Sequence, residues 1–280
     1  LVAGSDVQHN GIWTVVIAFG EDRQSWELGF RFFEGATDDI RVGAWAKLDE
    51  FFAKPLDDAF GGQRRIEAMG VDGGDGGRTN QVLEWCRRHA NAYAVKGVGG
   101  RGVPAISVPS KKSVTKRGKR KRFGSAMLWP VGTWGLKSEF FANLHKPGLR
   151  SGEPADPPGY VHFGDFMPKE YFLQITAEAF VAEVVRGKIH EEWKRLRIDN
   201  HGLDARVYGM AMAELLGLST MKADDWAALR ERLQPSSEPD LLDALRRKAT
   251  AEAEKAPASP AVTIDDEASK ARRQKWKRRT

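Results

Sequence analysis

Gly4-Ser5-Asp6-Val7-Gln8 ends a short apolar start and runs into His9-Asn10-Gly11, where Asn-Gly is a strong hairpin signal. This stretch decides the fold, because it places a carboxylate near the end of the first strand of a meander. Ile12 to Phe19 reads as the second, apolar strand. Gly20-Glu21-Asp22-Arg23 is a turn, and Ser25 to Phe33, partly alternating, is the third strand.

Two further stretches put an acid where an element begins or ends. Val71-Asp72-Gly73-Gly74-Asp75-Gly76-Gly77 closes an apolar strand, Ile66 to Val71, with Asp72 and a glycine-rich loop. Asn200-His201-Gly202-Leu203-Asp204-Ala205-Arg206 sets Asp204 near the start of a helix over Asp204 to Leu216, with Asn200 as its N-cap. Between the meander and the second acid, residues 43–54 show helical spacing through Trp45, Leu48, Phe51 and Phe52, and Pro55 ends them.

After the glycine loop, residues 79–90 form a helix with Thr79 as N-cap, and Ala92 to Lys96 form a strand. Residues 97–124 are an exposed loop or β-ribbon. A strand follows over 125–131, then a helix over Thr133 to Leu144 and a short strand over Tyr160 to Phe163. A second long helix is expected over Lys169 to Val185, with Phe172, Ile175, Phe180 and Val184 as its apolar contacts; residues 188–197 are ambiguous. Trp129 and Trp134 are the tryptophans best placed for exposed contacts.

Charge divides the chain. The net charge is +6, yet residues 110–124 and 270–280 together hold fifteen Lys/Arg and no acid, so the rest carries −9. An acidic body with basic segments suits a nuclease, the acids holding cations and the basic arms holding phosphate. A solvated face or tail is the plainer account of such runs. Cys86, the sole cysteine, permits no internal disulfide and reads as a buried structural thiol. No apolar run approaches the ~20 residues of a membrane-spanning helix, so no membrane is expected; no signal-peptide pattern is expected either. Beginning at Leu1 inside a strand, the chain is expected to be a piece of a longer protein.

Three carboxylates brought from distant elements suit Mg²⁺ or Mn²⁺, since hard cations take oxygen ligands. Without a cation such a pocket is costly, because packed like charges repel. No Ser-His-Asp pattern offers a nucleophile instead.

Three strands, then alternating helices and strands, then a late helix is the ribonuclease-H-like order. The motifs Ala3-Gly4-Ser5-Asp6-Val7-Gln8, Val71-Asp72-Gly73-Gly74, Ala94-Val95-Lys96-Gly97 and Asn200-His201-Gly202-Leu203-Asp204-Ala205-Arg206-Val207-Tyr208 recur in that order. Over residues 1–217 the chain resembles the C-terminal nuclease domain of the large terminase subunit of tailed bacteriophages, of the lambda-like GpA type. The resemblance implies an α/β fold with a ribonuclease-H-like mixed sheet flanked by helices, the nuclease domain spanning 1–217 and a charged helical or flexible extension spanning 218–280. It implies a Mg²⁺- or Mn²⁺-dependent endonuclease cutting double-stranded concatemeric viral DNA during packaging, in the cytoplasm of a bacterial host. Two ions are expected, held by Asp6, Asp72 and Asp204 as the catalytic and metal-binding triad.

Asp75 is a further candidate ligand, its alternative being a flexible turn. Lys96, Lys111, Lys112, Lys116, Arg117, Lys119, Arg120, Lys121 and Arg122 are candidate DNA contacts, and His201 could orient a ligand or cap its helix. The implied partners are double-stranded DNA, an N-terminal ATPase domain of the same full-length protein, the small terminase subunit and the capsid portal. No Gly-x-x-x-x-Gly-Lys-Ser/Thr loop is present. Two other classes stay open: a non-catalytic DNA- or portal-binding module, and another ribonuclease-H-like enzyme such as a resolvase or transposase.

Overall fold

The computed structural model describes residues 1–74, 76–115, 122–149 and 155–234. Its strands are β1 (Val2–Gln8), β2 (Gly11–Phe19), β3 (Ser25–Glu34), β4 (Leu56–Asp57), β5 (Gln63–Arg64), β6 (Ala68–Asp72), β7 (Ala92–Val98), β8 (Ser110–Thr115), β9 (Arg122–Gly132), β10 (Val161–Phe163), β11 (Glu178–Val185) and β12 (Lys188–Arg195). Its helices are α1 (Ala44–Ala53), α2 (Thr79–Cys86), α3 (Thr133–Leu144), α4 (Lys169–Ile175), α5 (His201–Leu215) and α6 (Ala223–Leu233). Leu1–Leu233 form one compact unit.

Eight strands make one mixed sheet in the order β10-β3-β2-β1-β6-β7-β9-β8. The expected meander is its antiparallel half, β1 pairing with β2 and β2 with β3. From β1 the sheet continues in parallel through β6, β7 and β9, and β8 returns antiparallel along the far edge. This is the mixed α/β architecture, helices on both faces, of a ribonuclease-H-like domain.

Central β1 is buried on both sides, and its alternate residues serve different cores. Val2 joins Phe140, Tyr171, Leu203 and Val207 beneath α3, α4 and α5. Ala3 and Val7 join Trp45, Leu83 and Trp85 beneath α1 and α2.

Helix α5 lies directly on β1, and glycine permits it. A Cβ on Gly4 would fall 1.8 Å from the Ala205 carbonyl oxygen and 2.6 Å from the Gly209 nitrogen. Any side chain at Gly4 would therefore lift the helix from the strand. Farther in, Arg206 is 1% exposed and binds Glu27 at 2.5 Å and Ser25 at 2.9 Å, while its guanidinium faces Phe140 and Phe19. That pair ties α5 to β3 within the core.

One expectation fails clearly. The helix from Lys169 ends at Ile175, and Glu178–Val185 pairs antiparallel with Lys188–Arg195, so the ambiguous stretch is the return strand of a hairpin. Phe180 and Val184 match a helical spacing, but the segment is rich in β-branched residues. Arg186 and Gly187 both take positive φ, the two-residue hairpin turn that matches strand twist. Phe180 and Val184 are accordingly exposed rather than core contacts.

The basic segment 97–124 contains the β8–β9 ribbon, with Lys111 and Lys112 exposed on β8. Lys116, Arg117, Lys119, Arg120 and Lys121 lie outside the described residues, as do the terminal basic run and the extension beyond residue 234; Arg122 is described in its backbone alone. Cys86 is buried, and burial pushes its thiol far up in pKa, as befits a structural thiol. Among the described residues no helix is long and apolar enough to cross a membrane.

Candidate acidic active site

Strands β1 and β6 run parallel with Ser5 opposite Val71, so Asp6 and Asp72 are the next positions on neighbouring strands. Asp204 comes from the first turn of α5, the helix that Gly4 admits onto β1. His201, Asp204 and Tyr208 follow one another at i, i+3 and i+7, a single helix face.

Each carboxylate is held by neighbours. His201 donates from Nδ1 to Asp6 Oδ2 at 2.7 Å, and Gln8 donates to the same oxygen at 2.9 Å. Asp6 is 4% exposed and lies opposite Trp13 on β2, whose ring stacks on His201. The Gly74 amide donates to Asp72 Oδ1 at 2.8 Å, and the Tyr208 hydroxyl lies close to Asp72. Asn200 donates to Asp204 Oδ2 at 2.9 Å.

The three acids share one electrostatic neighbourhood. Burial pushes Asp72 up to about 7; the Gly74 amide opposes this, and the charges of Asp6 and Asp204 add to it. Burial likewise pushes Asp204 up to about 6, against Lys137 and with Asp6 and Glu178. Tyr208 is driven up by burial and by the charges of Asp72, Asp204 and Asp6. For His201 burial acts downward, but the hydrogen bond and charge of Asp6, with Asp199 and Asp204, outweigh it and raise the imidazole. These shifts are the expected response of acids buried together.

Lys137, Glu178 and the bridging role of Asn200 did not emerge from the sequence. Lys137 Nζ lies 2.7 Å from Glu178 Oε2 and 3.6 Å from Asp204 Oδ1, and Asn200 Nδ2 donates to Glu178 Oε1 at 2.9 Å as well as to Asp204. Glu178 and Asp204 are thus clamped from two sides. Asn200, four residues before Asp204, was legible as a helix start. Glu178 falls in the stretch that the spacing assigns to a continuation of the Lys169 helix, and a lysine in an apolar helix carries no local signal.

Other candidates fall as follows. Asp75 lies outside the described residues. Lys96 is exposed on β7, beside Gly73 and Gly74. Thr79 is not an N-cap: Arg78 holds that position, and Thr79 Oγ1 donates to the Gly73 carbonyl at 2.8 Å, tying the glycine loop to α2. Trp129 and Trp134 are half-buried, Trp129 edge-on to Tyr93 and Trp134 against Phe180 and Arg101.

In kind, the donors fit a hard cation: oxygen ligands, buried and mutually repelling. As they stand, Asp6 is turned to His201 and Gln8, and Asp204 to Asn200. Among the described residues no three potential ligands are gathered closely enough to hold an ion.

The order of the eight-stranded mixed sheet, with helices on both faces, is that of a ribonuclease-H-like domain. Residues 1–226 match the family described as terminase large subunit gpA, endonuclease domain, and the chain belongs to that family. It is a nuclease domain of viral DNA packaging, with DNA as substrate. Comparison with curated proteins and with solved structures finds no match.

Proposed function

We propose that this domain is a divalent-metal-dependent endonuclease that cuts double-stranded concatemeric DNA during genome packaging. Asp6, Asp72 and Asp204 hold Mg²⁺ or Mn²⁺. Two such ions, when bound, supply an activated water, charge stabilisation at phosphorus and support for the leaving oxygen. The observation that most supports this reading is that the charges of Asp6 and Asp204 both act on buried Asp72. A purely structural set of acids would gain stability by standing apart.

The chain's own groups orient the site. His201 and Gln8 fix Asp6, the Gly74 amide fixes Asp72, and Asn200 fixes Asp204 against Glu178. The exposed Lys96, Lys111 and Lys112 meet the phosphate backbone, joined by Lys116, Arg117, Lys119, Arg120, Lys121 and Arg122 of the same basic segment. The N-terminal ATPase domain of the full-length protein, the small terminase subunit and the portal are the partners this role requires, in the host bacterial cytoplasm.

A plasmid nicking assay tests the proposal. Cleavage is expected in Mn²⁺, none in EDTA, and a loss of at least ~100-fold in Asp6→Asn, Asp72→Asn and Asp204→Asn, as for groups that act only as a unit. Cleavage by all three variants at the wild-type rate would remove the triad from the mechanism, and no cleavage by the wild-type chain in Mn²⁺ would replace the enzyme with a binding module.

A further inference from the structure

Beside the acids lies a feature that the triad does not use. A cleft of about 450 Å³ opens between the glycine loop, the start of α2 and the β8–β9 ribbon, with Gly73, Gly74, Asn80, Lys96, Lys112 and Ser113 among its lining. It lies off the carboxyl ends of β6 and β7, where open α/β sheets take their ligands.

We infer that this cleft seats one strand of the DNA backbone next to the cut, with successive phosphates at Lys96 and Lys112. The inference rests on the nuclease reading above for its DNA substrate.

Four observations carry it. Both ammonium groups are exposed, and neither has a hydrogen-bond or ion-pair partner among the described residues. They stand on different strands, β7 and β8, yet face one hollow. The hollow is continuous with the catalytic edge, because Gly73 and Gly74 follow Asp72 directly and the Gly74 amide is bonded to it. Its size matches pockets of roughly 300–1,000 Å³ that enclose a single small ligand. One sugar–phosphate strand of a duplex matches a space of this size, and Asn80 and Ser113 offer polar groups to it.

The strand also supplies an internal control. Lys111 precedes Lys112, is equally exposed and does not line the cleft. A diffuse basic surface would use the two alike; a seat would not.

The test is binding of a labelled 12-nucleotide single strand, and of the same sequence as duplex, to the full chain in EDTA, so that cleavage plays no part. Lys96→Ala and Lys112→Ala should each weaken single-strand binding roughly tenfold, the loss of one charge-assisted contact. Each should also flatten the salt dependence by about 0.7 in slope. Lys111→Ala, which lies outside the cleft, should weaken single-strand binding by a distinctly smaller factor than Lys112→Ala. Two plugs, Asn80→Trp and Ser113→Trp, leave the charge unchanged and should also weaken binding roughly tenfold, since they fill the seat. Equal losses in Lys111→Ala and Lys112→Ala, or wild-type binding by both plugged variants, would overturn the seat while leaving the nuclease reading intact. A wild-type chain that binds neither probe would overturn the seat and its DNA premise together.

Discussion

The ammonium of Lys137 lies 2.7 Å from the carboxylate of Glu178, and both side chains are almost wholly buried beside Asp204. The pair bridges α3 to the first residue of β11, which brings the hairpin's base to the acidic site. Removing one member of a buried pair strands the other, at a cost of roughly 3–5 kcal/mol. Lys137→Met should lower unfolding stability by about that much in urea titrations, and Lys137→Arg by less than half as much. A methionine variant as stable as wild type would show that Glu178 is solvated or protonated rather than paired.

Stability without metal should depend on pH. Asp72 and Asp204 are pushed up to about 7 and about 6 by burial and mutual charge. An acid raised on folding stabilises fully below its unfolded value, near 3.9, and loses that contribution as pH rises through its folded value. His201 is raised too, so its contribution is also lost with rising pH. The melting temperature in EDTA should therefore fall between pH 5 and pH 8. Asp72→Asn should flatten the fall and melt a few degrees higher than wild type at pH 8, as ~1–2 kcal/mol would give in a domain of this size. A melting temperature that rises over this window would reverse the sign of the argument.

His201 is expected to act through Asp6. With its Nδ1 bonded to Asp6 Oδ2, the imidazole fixes which way the carboxylate faces. Groups that orient a metal ligand typically matter by 10–100-fold in affinity or activity. His201→Ala should reduce Mn²⁺-supported nicking by about that factor and raise the Mn²⁺ concentration needed for half-maximal rate. An unchanged Mn²⁺ dependence would leave His201 as a helix-start residue stacked on Trp13.

Much of this arrangement was legible in the sequence because the strongest signals are local. Asn10-Gly11 marked the first hairpin, and apolar runs closed by Asp6 and Asp72 marked two strands of the sheet. The Asn200-to-Tyr208 motif marked the helix that crosses them. The glycine at position 4 carried structural meaning that spacing alone does not express: it lets α5 touch β1. The helix-for-hairpin error at 178–185 arose because Phe180 and Val184 fit a period of 3.6, while the positive φ of Arg186 is invisible in a residue that rarely adopts it. Lys137 and Glu178 meet across 41 residues, a long-range pairing no local pattern encodes. The cleft beside Asp72 exists only once β8 has folded back along β9.

The central claim is that Asp6, Asp72 and Asp204 close around divalent cations. Anomalous scattering from a crystal soaked in Mn²⁺ measures this most directly. The account predicts manganese peaks at the ends of β1 and β6, roughly 2.0–2.3 Å from oxygens of all three carboxylates, with Asp6 and Asp204 turned from His201 and Asn200 toward the ion. Full manganese occupancy elsewhere, with these carboxylates still bonded to His201 and Asn200, would contradict it.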